Sequence, residues 1–252
     1  MPQLLVTRLG RAPYADALAL MRAAAAARVR GALDEDLLLL VEHPPVLTLG
    51  RRAADNRLLA SPALLAARGV ELFEVERGGG STFHGPGQLV GYPIVDLKRH
   101  RQDLHWYLRQ VEQALIDAVA EWGVAAGRNP PFTGVWTDPD AAGGALDTSP
   151  HPRKLASIGV HARDWVTSHG FALNVTPEPL GYFDLIVPCG IDGVEMTAVA
   201  REAPAALAAD ATVDGVGDAV ARALARLFGL EPVAWDTAAL ERHAIGADAS
   251  AT

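Results

Sequence analysis

The sequence predicts a protein of the α+β class, mixed α/β in composition, and three features point there. Short apolar or β-branched runs of strand length are scattered between three helical stretches. Their order is irregular, with no internal repeat and none of the strict alternation that builds a regularly wound parallel sheet. Half of the 252 residues are hydrophobic, enough to fill the core of one large domain over residues 1–245.

Each element follows from its local pattern. "QLLVTRL" reads as a first strand, and a helix follows from about Pro13 to Arg30 with Leu18, Met21, Ala25 and Val29 at helical spacing, ended by Gly31. "DLLLLVEH" is a continuous apolar run of strand length; "PPVLTLG" restarts a strand after two prolines; "ELFEV" leads into a glycine-rich loop; and "LVGYPIVDL" leaves it extended. Asp103 caps the clearest helix, whose stripe of Leu104, Tyr107, Leu108, Val111, Leu115, Ala118, Val119 and Trp122 stops at Gly123. "FTGVWT" is a strand, and residues 138–153 form a polar, small-residue loop. "KLASIGVHARDW" and "VTSHGFALNV" form an antiparallel pair with a tight connection near Asp164. A last helix spans about Val213 to Phe228, with Val216, Val220, Leu224 and Leu227 inward and Gly229 as its stop; residues 246–252 are a small, polar tail too weak to be ordered.

Composition narrows the function. A net charge of −8 excludes broad nucleic-acid or membrane-surface binding. No apolar run reaches the roughly 18 residues that span a bilayer, and the start lacks a signal-peptide pattern, so a soluble, cytoplasmic protein is expected. The single cysteine, Cys189, rules out an internal disulfide and every multi-cysteine zinc site, and leaves that thiol as either buried filler or chemistry. Of 22 basic residues only Lys98 and Lys154 are lysines. A lysine kept among arginines suits a place where the cation must be able to release its proton.

Residues 76–89, "ERGGGSTFHGPGQL", pose the main question. The phosphate-loop templates fail: no lysine precedes Lys98, and a dinucleotide pattern begun at Gly78 meets Phe83 where its third glycine belongs. A serine nucleophile elbow begun at Gly79 lacks its closing glycine, so Ser81 reads as a hydroxyl bonded to nearby backbone. The histidines are scattered singly and no metal motif occurs, so no metal or cofactor is expected. Two readings stay open: an irregular strand connection, or a main chain kept bare so that a narrow ligand can lie along it.

The run R-G-G-G-S-T-F-H-G-P-G-Q followed by Y-P-I, the later K-L-A-S-I-G-V and H-G-F-A-L-N-V, and the still later P-C-G-I resemble the lipoyl(octanoyl) transferases, the lipoate-protein ligase B family. The resemblance runs in family order from about His43 to Val199. It implies the fold of the biotin and lipoate ligases. It also implies transfer of an octanoyl group, without ATP, from acyl carrier protein to a lysine of the lipoyl domains of 2-oxoacid dehydrogenase complexes and the glycine cleavage H protein. Cys189 and Lys154 become the expected catalytic pair. Acyl contacts are expected from Arg77, Gly78, Gly79, Gly80, Ser81, Thr82, Phe83 and His84, from Ser157, Ile158 and Gly159, and from Gly170, Phe171 and Ala172. Two departures stand out: Phe83 occupies a position where the family more often has a larger polar aromatic, and the 138–153 loop is longer than typical.

The chemistry expected of this pair is nucleophilic catalysis. A free thiol with a pKa of about 8.5 is mostly protonated at neutral pH, and a neighbouring ammonium stabilises the thiolate. The thiolate attacks the donor thioester, and Lys154, as an amine, later takes a proton from the acceptor lysine. Backbone amides near Gly79 and Ile158 to Gly159, with His84, are the expected oxyanion donors. Arg51, Arg52 and Arg57 are the expected docking patch for an acidic carrier. An ATP-dependent lipoate or biotin ligase and a non-catalytic acyl-binding protein are the alternatives.

Overall fold

A computed structural model describes residues 1–138 and 152–245. The chain begins β1 (Gln3–Arg11), α1 (Tyr14–Val29), β2 (Asp36–Glu42), β3 (Val46–Leu49), α2 (Pro62–Ala67), β4 (Glu71–Glu74), β5 (Thr82–His84) and β6 (Gln88–Ile94). It continues through α3 (Leu104–Ala120), β7 (Ala126–Asn129), β8 (Phe132–Thr137), β9 (Arg153–Arg163) and β10 (Val166–Asn174). It closes with β11 (Glu195–Met196), α4 (Val199–Glu202), α5 (Ala205–Ala208), α6 (Val213–Phe228), β12 (Glu231–Ala234) and α7 (Thr237–Ile245). The tail expected over 246–252 and most of the 138–153 loop lie outside the described residues.

Strands β12-β1-β2-β6-β10-β9-β8-β7 lie side by side in one mixed sheet, β11 joins it beside β9, and β4-β3-β5 form a small second sheet. β1 pairs in parallel with β2 and β12, whereas β2, β6, β10, β9, β8 and β7 pair antiparallel in succession. This is the mixed α+β class that irregular element order predicts.

Burial of both faces explains the continuous apolar run in β2. Leu37 and Leu39 point into the layer with α1, while Leu38 and Leu40 point into the layer with α3 and α6. A third cluster, with Leu47, Leu65, Phe83 and Phe183, fills the space beneath the small sheet.

The caps behave as their residues require. Asp103 accepts a hydrogen bond from the Trp106 amide at the start of α3, and Gly229 ends α6 in the left-handed conformation. Asp164 and Trp165, at φ 51 and 67, form the two-residue turn that sets the β9–β10 register. α1 departs from expectation: Ala24 and Ala27 are buried, while Ala25 and Val29 are only partly so. In so alanine-rich a helix the inward face carries no size contrast. The helix expected to be last is followed by β12 and α7, where Leu240 and Ala244 pack in the α1 layer.

Candidate active site

Lys154 lies near the start of β9, paired with Trp136 of β8 on one side and Met196 of β11 on the other. Its side chain is 1% exposed. Gly134 leaves the backbone beside it bare: a Cβ there would lie 2.5 Å from the Ala156 carbonyl and 3.0 Å from Lys154 Cε. From the opposite side a 3-10 turn at Pro188–Gly190 presents Cys189, whose Sγ lies 3.5 Å from Lys154 Nζ and 3.6 Å from Ser157 Oγ. Cys189 is left-handed, φ 55 and ψ 19. That conformation costs a non-glycine residue about 1–2 kcal/mol, and such strain persists only where surroundings impose it.

The imposition comes from Ser81. Its carbonyl accepts the Cys189 amide at 2.8 Å, and its hydroxyl donates to the Val187 carbonyl at 3.1 Å. Ser81 thus bonds backbone, as its sequence context predicts, and aims the cysteine without lining the cavity beside it. Burial pushes the Cys189 thiol up, but the Lys154 ammonium, the Ser157 hydroxyl and the Arg77 guanidinium outweigh it and hold the thiol below its ordinary value.

The glycine loop owes its bareness largely to protein packing. A Cβ on Gly80 would strike the Asp55 carbonyl; one on Gly50 would strike that of Gly79; one on Gly159 would lie 2.7 Å from the Gly78 carbonyl. The Gly78 amide donates to Val160 O at 2.9 Å, tying the loop to β9. Only Gly79 needs its left-handed φ of 84 with no close neighbour to blame. Among the described residues the amides of Gly79 and Gly80 have no protein acceptor.

Arg77 is the staple of that loop. Its Nη1 donates to Gly78 O and Gly80 O at 3.1 and 2.8 Å, and its Nη2 to Thr48 O and Oγ1 at 2.8 and 2.7 Å. Nε reaches Thr48 Oγ1 at 3.3 Å, so every guanidinium donor is committed to the protein. Arg77 supplies charge to the site but no hydrogen bond to a ligand.

From Arg77 a chain of buried hydrogen bonds runs back to Lys154. Thr48 Oγ1 donates to His84 Nε2 at 3.4 Å, His84 Nδ1 to Gln88 Oε1 at 2.8 Å, and Gln88 Nε2 to Asn174 Oδ1 at 2.8 Å. Asn174 Nδ2 donates to Thr197 O, and the Thr197 amide to Lys154 O, both at 2.9 Å. Both ring nitrogens of His84 are engaged, so it orients the loop and has no hydrogen left for an oxyanion.

Between loop and sheet lies a narrow cavity. Its partly exposed end is formed by Cys189, Gly78, Gly79, Ile158 and Gly159, and its buried end by Tyr14, Val90, Tyr92, His169, Gly170, Phe171 and Ala172; Arg77, Thr82, His84 and Ser157 also line it. Burial lowers His84 to about 3 and His43 and His169 to about 4, and raises Tyr14 to about 12. The closed end is therefore uncharged at neutral pH and suits an uncharged chain.

The structure thus brings together, at one cavity, most residues singled out in three separate stretches. Gly80 and Ser81 stand behind its wall. Phe83 lies elsewhere, stacked on Tyr182 with centroids 4.5 Å apart in the third core cluster. Tyr14, Val90, Tyr92 and His169 also line the cavity, and nothing in their local sequence marks them for it. His169 has φ 56 and a buried Nε2 with no hydrogen-bond partner among the described residues. All three docking arginines are exposed; Arg57 grips Asp192 with 2.7 and 2.8 Å contacts and Arg52 bonds Asp55, so among the described residues Arg51 is the one of the three without a carboxylate partner.

Among the described residues no cluster of side chains fits a metal ion, and no helix is long and apolar enough to cross a membrane.

Comparison with known proteins places this geometry. The chain is 46% identical over 228 residues to an octanoyltransferase of Myxococcus xanthus, covering 90% of this chain but only 60% of that protein. It is 46% identical over 224 residues to one of Solibacter usitatus, covering 89% and 92% of the two chains. A third, of Acidobacterium capsulatum, is 48% identical over 231 residues and covers 88% of each. In fold it is similar to a bipartite lipoate protein ligase of Thermoplasma acidophilum, with a TM-score of 0.70 at 15% identity over 98% of this chain and 92% of that one. A lipoate-protein ligase A solved with ATP bound gives 0.65 at 17% identity over 97% and 93%. Residues 13–225 match the lipoyl protein ligase A/B catalytic domain, so the chain belongs to that family, among its octanoyltransferases, and is a transferase.

Proposed function

We propose that this protein moves an octanoyl group from the thioester of an acyl carrier protein to a lysine of a lipoyl domain, through a thioester on Cys189. The observation that carries the reading is the 3.5 Å contact of Cys189 Sγ with Lys154 Nζ at the open end of a cavity whose closed end is uncharged. The acceptors are the lipoyl domains of 2-oxoacid dehydrogenase complexes and the glycine cleavage H protein, in keeping with the octanoyltransferase name of the relatives.

In the first half-reaction the Cys189 thiolate adds to the donor carbonyl, with the octanoyl chain laid between Gly79 and the Ile158–Gly159 segment toward Phe171 and Tyr92. The amide of Gly79, on the cavity wall and free of a protein acceptor among the described residues, is the candidate oxyanion donor. The bond to the carrier sulfur breaks, and the leaving thiolate takes a proton from the Lys154 ammonium. Lys154 is now an amine. The acceptor lysine, arriving neutral, adds to the Cys189 thioester; its surplus proton passes to Lys154, and the Cys189 thiolate leaves. The amide forms downhill from the thioester and the ion pair is restored, so neither nucleotide nor cofactor is consumed.

The fold is shared with ATP-using ligases, and the thiol separates the two chemistries. Purified protein, octanoyl carrier protein and a lipoyl domain, mixed without nucleotide, should yield octanoyl-lysine by mass spectrometry. Cys189→Ser should lower the rate roughly 10³-fold or more and Lys154→Arg by roughly 10²–10⁴-fold. A requirement for ATP, or variants that turn over like the parent, would contradict the proposal.

A further inference from the structure

Lys154 is a buried ammonium in an unusual setting. Among the described residues its polar partner is Cys189 Sγ, and no carboxylate pairs with it. A buried charge ordinarily needs a strong compensating group. What faces it instead is the ring of Trp136, whose centroid lies 5.1 Å from Nζ. Trp136 is itself 2% exposed. It is held on β8, which Glu112 of α3 fixes by accepting the Gly134 amide at 3.1 Å; Glu112 is anchored in turn by Arg128 at 2.9 Å. Gly134 and Trp136 together give the lysine a bare backbone beside its stem and a π face beside its charge.

The geometry points to Trp136 as a positioning residue that sets how one proton is shared between Cys189 and Lys154. A carboxylate in its place would lock the lysine as ammonium and oppose the neighbouring thiolate. An indole face favours the cation without accepting a proton or adding negative charge, so the ammonium–thiolate form is stabilised and the lysine can still release its proton. A desolvated contact of this kind shifts such an equilibrium by roughly tenfold or more. The other charged groups packed round the pair are Arg77 on the glycine loop and Asp55 beside Gly190. On the strand side lie the Arg153–Glu202 pair and Glu195 from β11, with Asp138 just beyond the end of β8. All of these stay constant when only the ring at position 136 is altered.

The inference rests on the Cys189–Lys154 pair of the proposed function, and one readout separates the two. The rate of iodoacetamide alkylation of Cys189 against pH reports thiolate directly, with no acyl substrate. Fluorinated tryptophans placed at position 136 by nonsense suppression keep the ring's shape and drain its π face. The alkylation midpoint should rise stepwise with fluorination, with a roughly tenfold slower rate at neutral pH at the end of the series. Trp136→Phe should fall between. An unchanged profile across the series, while Lys154→Met moves it, overturns the role of Trp136 alone. A profile that Lys154→Met also leaves unchanged overturns the pair itself.

Discussion

Cys189 adopts a left-handed backbone that Ser81 enforces, accepting the Cys189 amide on its carbonyl and donating its hydroxyl to the Val187 carbonyl, and Arg77 spends its whole guanidinium on carbonyls and a threonine of its own chain. Each was singled out in the sequence for touching substrate, yet Ser81 and Arg77 act by holding other groups in place. Arg77→Lys tests this: a lysine offers one point charge for a five-donor fork, leaving buried carbonyls of Thr48, Gly78 and Gly80 unpaired. Denaturant unfolding should show a loss of about 2–3 kcal/mol, and transfer activity should fall with it. Wild-type stability with weakened substrate binding alone would instead mean that Arg77 contacts ligand. A one-letter sequence identifies Arg77 and Ser81 as polar residues in a glycine run, but not which carbonyl each will face.

Elements were more legible than the contacts between them. The caps at Asp103 and Gly229, the two-residue turn at Asp164 and the doubly buried β2 all follow from local rules, because each depends on neighbours within a few residues. The buried face of α1 was legible at Leu18 and Met21 but not along the alanine run that follows, where no size contrast marks a face, and β12 and α7 were missed because their short runs of mixed polarity gain their place only by pairing with β1 and packing on α1. The glycine loop was legible as a site with two readings of its bareness open, and the structure supports a share of each: Gly80 and Gly159 are bare because backbones approach one another, while Gly78 and Gly79 face the cavity. Gly159→Ala should therefore push the loop off β9. Overpacking of this kind typically costs about 1–3 kcal/mol, and we expect at least a roughly tenfold fall in transfer with α-helical content unchanged. A fully active Gly159→Ala protein would show that the loop tolerates displacement.

At the scale of the whole molecule, the site lies where the large mixed sheet meets the small one, and its closed end depends on histidines kept neutral by burial. His43, His84 and His169 stand at about 4, 3 and 4 against an ordinary 6.5. Because the unfolded chain takes up these protons first, their contribution is intact above pH of about 6.5 and drains away as pH falls toward 4 and then 3. Glu76, held down to about 2 by its hydrogen bond to Arg22, adds a further loss only as pH falls below its ordinary 4.5. The melting temperature should drop steadily from pH of about 6.5 downward, and less steeply in His43→Asn; a flat profile over that range would show these rings to be charged in the fold. The assembly of Cys189 against Lys154 from segments 35 positions apart was foreseen from motif order, whereas the Trp136 face beside them left no signal beyond a tryptophan in a strand. The most direct test of the account is the intact mass of the protein after mixing with octanoyl carrier protein alone, without acceptor or nucleotide. One octanoyl adduct, on Cys189 and released by hydroxylamine, is expected; no adduct, or the same adduct in Cys189→Ser, overturns the thioester route.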